Sequence, residues 1–140
     1  IVSLGNDCLH SDAFGMDQAL TSPCSLAEQN AAIDRLIAIG QDVLDLGMTP
    51  VFTKYPQARH LDLPLFSQLS GLNWVMTDAQ YDAFGAQYAS RVRQELPEAL
   101  LVNAWKHFTH QGDGLHPDEA TAMQAAYRLL RAITRDQQRD

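Results

Sequence analysis

Asp113 and His116 stand three residues apart in Asp113-Gly114-Leu115-His116-Pro117, immediately before a strongly helical stretch. Carboxylate and imidazole at that spacing suit acid–base chemistry. The Asp would fix the tautomer of the ring and stabilise its charged form, and the His would relay a proton. Pro117 suits the first position of the helix, where its missing N–H costs nothing, which puts the pair on the loop leading in. His107, His110, Asp113 and His116 recur every third residue, a spacing that also invites a metal-ligand reading. It would line one face only on a helix, and Gly112 and Gly114 argue for a loop, so no metal or other cofactor is expected.

These residues must be positioned by elements that the sequence outlines. Ile1 to Leu4 reads as the end of a buried strand and Gly5-Asn6-Asp7 as the turn leaving it. Residues 8–24 suit a surface loop. Ser25-Leu26-Ala27-Glu28 is a capping box opening a helix to about Leu46, with Ile33, Leu36, Ile37 and Leu44 on its apolar face and Gly47 as its stop. Thr49 to Lys54 reads as a short buried strand. Residues 57–76 read as irregular, broken by Pro64 and Gly71. Their apolar groups, among them Leu65, Phe66, Leu69, Leu72, Trp74 and Val75, are expected to pack over the sheet edge, or else to line a substrate pocket or lid. Thr77-Asp78-Ala79-Gln80 is a second capping box, for a helix to about Leu96 that Pro97 ends. Ala99 to Ala104 reads as a third buried strand, and 105–116 as a loop with Trp105 and Lys106 near the candidate pair. A last helix is expected from about Pro117 to Arg135, packing through Ala122, Ala126, Leu129, Leu130 and Ile133.

Apolar strands without alternation, separated by amphipathic helices, predict a parallel α/β sheet in a layered sandwich. Ligands of such sheets bind beyond the carboxyl ends of the strands, and both Gly5-Asn6-Asp7 and the Asp113–His116 loop fall at that edge. At 140 residues and 46% hydrophobic, the chain suits one domain with a substantial core. A formal charge of −7 argues against nucleic acid or an anionic membrane as the main partner. No apolar run is long enough to span a bilayer. Cys8 and Cys24 admit two readings: a disulfide, which implies an oxidising, extracytoplasmic compartment, or two free, partly buried thiols, which suit the cytoplasm.

Taken together, this pattern resembles the SGNH (GDSL-type) hydrolases, a family of esterases, lipases, thioesterases and carbohydrate deacetylases. Ser3-Leu4-Gly5-Asn6-Asp7 is similar to the family's third block, Gly-x-Asn-Asp, with Leu4 where the first Gly often stands. Asp113-Gly114-Leu115-His116 is similar to its fifth block, Asp-x-x-His. The resemblance implies a flavodoxin-like three-layer sandwich and ester hydrolysis through an acyl-enzyme. It makes His116 the general base, Asp113 its orienting partner and Asn6 an oxyanion donor, with Gly5 and Asp7 supporting the turn. Such a donor is worth roughly 3–4 kcal/mol when preorganised. The implied substrate is a small-molecule, carbohydrate or lipid ester.

The family's first block, Gly-Asp-Ser, and its second, with an oxyanion Gly, have no counterpart here. None of the seven serines lies in a turn that would expose a nucleophile. The first strand, helix and next strand are therefore expected to precede Ile1, as part of a longer chain or as a second chain completing one SGNH domain. The 140 residues alone are expected to be inactive, with an unpaired strand edge at Ile1. Two further readings follow: a degenerate, non-catalytic binding module on the same scaffold, and a hydrolase using Cys8 as nucleophile.

Overall fold

The computed structural model describes residues 23–72 and 75–138. The expected strand at Ile1–Leu4, the Gly5-Asn6-Asp7 turn, Cys8 and Trp74 lie outside the described residues. Four α-helices and a pair of parallel strands make a mixed α/β arrangement: α1 (Leu26–Asp45), β1 (Val51–Thr53), α2 (Leu63–Ser70), α3 (Asp78–Glu95), β2 (Leu100–Val102) and α4 (Glu119–Gln137). A 3₁₀ turn, Ala58–His60, lies between β1 and α2.

Both capping boxes form. Ser25 Oγ accepts the Glu28 N–H at 3.3 Å while Glu28 Oε2 accepts the Ser25 N–H at 2.7 Å. Thr77 and Gln80 repeat the arrangement at α3. These reciprocal bonds satisfy amide groups that a helix start leaves open. α1 ends in a Schellman turn, with Met48 N–H on the Val43 carbonyl, Gly47 N–H on that of Leu44, and Gly47 at φ +72°.

β1 and β2 pair in register Val51↔Leu100, Phe52↔Leu101 and Thr53↔Val102. All three β1 residues are buried, whereas those of β2 are half-buried. The expectation of a fully buried final strand is thereby corrected: among the described residues β2 is hydrogen-bonded to a strand on one side only. The core joins Ile33 and Leu36 of α1 to Phe52 of β1 and to Tyr81, Phe84, Tyr88 and Val92 of α3, with Leu96 beneath. α3 and α4 both pack against β2.

Three further expectations are corrected. Residues 57–72 are not irregular throughout, since they hold the 3₁₀ turn and α2: Asp62 caps α2 through its carboxylate on the Leu65 N–H (3.0 Å), Pro64 falls at the second helical position, and Gly71 closes the helix at φ +73°. Pro64 and Gly71 thus act as start and stop signals for a helix of eight residues. Pro117 does not open α4. Asp118 is the cap, with its carboxylate on the Thr121 N–H at 2.7 Å, and Pro117 instead bridges His110. The bridge uses the N–H groups of Gln111 and Asp118, so the proline's lack of one costs nothing. The buried stripe of α4 is also turned from the expected one, with Thr121 and Ala125 buried and Ala122, Ala126 and Leu130 exposed. Polar contacts hold that rotation: Thr121 Oγ1 accepts the Thr109 N–H at 3.1 Å, and Arg128 Nη1 donates to the Ala104 carbonyl at 2.7 Å. Leu129 and Ile133 are half-buried.

Candidate active site

β2 ends at Val102, and the chain then runs as a turn-rich loop to the cap of α4. The His110–Pro117 bridge closes the part of this loop that holds Asp113 and His116 into a short hairpin-like bend. His110 braces it from inside, its Nδ1 accepting the N–H groups of Gly112 (3.1 Å) and Gly114 (3.2 Å). Accepting both at one nitrogen requires the lone pair there, so Nδ1 carries no proton in this arrangement. The carbonyl of Gly114, buried at φ +88°, accepts the Asp62 N–H at 2.9 Å. A Cβ at this position would run into the Asp62 carbonyl oxygen, so only glycine fits.

Within the bend, Asp113 and His116 meet. His116 Nδ1 lies 2.7 Å from Asp113 Oδ2. The other carboxylate oxygen, Oδ1, accepts the N–H groups of Leu115 and His116, both at 2.9 Å, and Gln111 Nε2 adds a third donor, to Oδ2 at 3.0 Å. Burial alone would raise the Asp113 pKa. The bonds from Gln111, the Leu115 N–H and the His116 ring and N–H outweigh it, holding the carboxyl well below the usual carboxylate range. A carboxylate so fixed stays ionised at neutral pH and keeps the His116 Nδ1 in its protonated, donating form. Nε2 is left to act as acceptor. The His116 side chain is 61% exposed and that of Asp113 26%, so the imidazole faces outward from a sheltered carboxylate. Phe66 of α2 sets the ring's edge, with centroids 6.2 Å apart and planes at 70°. Among the described residues no side chain hydrogen-bonds His116 Nε2.

Three serines of the described segments are engaged elsewhere. Ser25 caps α1, Ser70 Oγ donates to the Phe66 carbonyl at 2.7 Å, and Ser90 accepts from Gln94. The candidate oxyanion donor Asn6 and the turn residues Gly5 and Asp7 lie outside the described residues. Cys24 is held in a disulfide and does not titrate as a thiol. Among the described residues no three His, Cys, Asp or Glu side chains converge as a metal-ligand set. His107 stands apart at φ +61°.

Trp105, Lys106 and His107, earlier on the same loop, border a second feature. A groove of about 560 Å³ opens where the chain leaves β1 and β2, against α3. Its lining comes from residues 54–60, from α3 and from 103–107. No single stretch of sequence signals it, because its walls are assembled from three segments by the parallel pairing.

Comparison of the chain with family models, with curated proteins and with solved structures returned no match. No helix among the described residues is long and apolar enough to cross a membrane.

Proposed function

We propose that this chain supplies the acid–base half of an SGNH-type carboxylic-ester hydrolase, on a flavodoxin-like three-layer α/β scaffold. The observation that carries the reading is the His116 Nδ1–Asp113 Oδ2 bond of 2.7 Å, with Oδ1 pinned by two main-chain N–H groups and the imidazole exposed. The parallel strand pair, with the dyad on the loop that follows β2, supports the scaffold assignment.

The chemistry runs by acyl transfer. A serine hydroxyl, from a residue outside the described ones or from a second chain, attacks the ester carbonyl while His116 Nε2 takes its proton. The tetrahedral oxyanion accepts the Asn6 side-chain amide. Nε2 returns the proton to the leaving alkoxide, giving the alcohol and an acyl-serine. Water, deprotonated by the same nitrogen, then releases the carboxylic acid and restores the serine. Asp113 stays ionised throughout and stabilises the imidazolium.

Stopped-flow turnover of an activated aryl ester tests the mechanism on the protein that carries this chain. A burst of phenolate followed by a slower steady rate is expected from an acyl-enzyme. Absence of turnover across short-chain and acetylated-sugar esters would support the second reading, a non-catalytic module. One observation favours that alternative: no hydroxyl of the described residues engages His116.

A further inference from the structure

The groove beside α3 has a charge pattern opposite to that of the chain. The protein carries 17 acidic residues against 10 Lys and Arg. Yet Lys54, Arg59, Arg93 and Lys106 all line this groove, with Asp82 as its lone carboxylate. Asp82 is already committed, accepting the Ala58 N–H at 2.9 Å. Arg91 pairs with Asp34 and Glu95, and His116 with Asp113, and among the described residues no ion pair reaches the groove's cations. Among the described residues Arg59 donates to the His60 ring and Arg93 to the Ala89 carbonyl, neither of them a carboxylate.

The four cations are brought together from afar. Lys54 directly follows β1, Arg59 lies on the 3₁₀ turn, Arg93 on α3 and Lys106 just past β2. Burial pushes the Lys54 ammonium down from its usual pKa, and the positive charge of Arg93 pushes the same way. Four like charges gathered at one edge, with Asp82 as the single carboxylate among them, are left in net excess and repel one another until an anion offsets them. Tyr55 and Trp105 add aromatic surface to the same lining. The volume lies within the range of small-molecule sites, and aromatic walls with a few converging charges are the usual makeup of such sites.

We propose that this groove binds a small organic anion through a phosphate or carboxylate group, met by Lys54, Arg59, Arg93 and Lys106. The binding does not depend on the hydrolase reading.

The test is calorimetric titration of the protein carrying this chain with pyrophosphate, with citrate and, as a neutral control, with maltose. Saturable heat is expected from at least one anion at concentrations up to ~10 mM and none from maltose. Pyrophosphate alone would identify a phosphate site, citrate alone a carboxylate site, and both a general anion site. Lys54→Gln with Arg93→Gln should weaken binding about tenfold or more. Arg131→Gln with Arg135→Gln removes the same charge away from the groove and should leave affinity within about twofold. The exposed Lys106→Gln gives a second variant should the first double change unfold. No saturation with either anion, or equal weakening by the groove and control pairs, would overturn the proposal. Because heat is read and not turnover, a failed titration and a failed esterase assay remain separate results.

Discussion

The main-chain N–H of Asp62 donates to the carbonyl oxygen of Gly114 at 2.9 Å, tying the cap of α2 to the loop that holds the His116–Asp113 pair. Phe66, one turn into the same helix, meets the His116 ring. A helix of eight residues therefore sets both the backbone and the ring edge of the candidate site.

Gly114→Ala tests that attachment. The new methyl would meet the Asp62 carbonyl oxygen at a backbone φ of +88°, which alanine disfavours. A loss of about 3 kcal/mol is expected, from clash and strain together. Urea unfolding should show the fall in midpoint; an unchanged midpoint would mean the two segments are not held in contact.

Asp113 gives a pH signature. Its folded pKa is depressed, so its contribution to stability is complete above the unfolded value of about 3.9 and drains only as pH falls toward the folded one. Asp113→Asn replaces one acceptor oxygen by a donor, which opposes either the two main-chain N–H groups or the protonated His116 Nδ1. The variant should be less stable at neutral pH, and its gap from the parent should narrow only below about pH 4. Urea midpoints of both proteins across pH 7 to pH 3 decide this. A gap that closes by pH 5 contradicts the assigned bonding.

Tyr88 offers a stability gain. Its side chain is fully buried beside Phe52 and Tyr55, and among the described residues its hydroxyl has no hydrogen-bond partner. Tyr88→Phe removes that unsatisfied group without changing the ring's shape, and should stabilise by about 1 kcal/mol. A drop in the denaturation midpoint would reveal a partner for the hydroxyl.

How much of this was legible beforehand differs by element. Ser25/Glu28 and Thr77/Gln80 announced α1 and α3 because a capping box is local chemistry, complete within four residues. α2 is hidden in the sequence because Pro64 and Gly71 read as breakers, although Asp62 before the proline and glycine at the far end mark a helix's limits equally well. The rotation of α4 lay beyond periodicity, since Thr121 and Arg128 settle it through bonds to Thr109 and Ala104 on a distant segment. Asp113 and His116 could be paired from spacing alone. Neither the part of Phe66 nor that of His110 could, because each acts through a contact made by the folded loop. The cationic groove is invisible for the same reason: its charges stand at 54, 59, 93 and 106, and the β1–β2 pairing together with the packing of α3 on the 3₁₀ turn and β2 collects them.

The central claim is that His116 activates a serine nucleophile, and fluorophosphonate labelling of the protein that carries this chain tests it most directly. The parent should label at one serine. His116→Ala should lose at least ~99% of the labelling rate, with little change in melting temperature because the imidazole is largely exposed. Equal labelling of parent and variant, or no labelling of a folded parent, would contradict it.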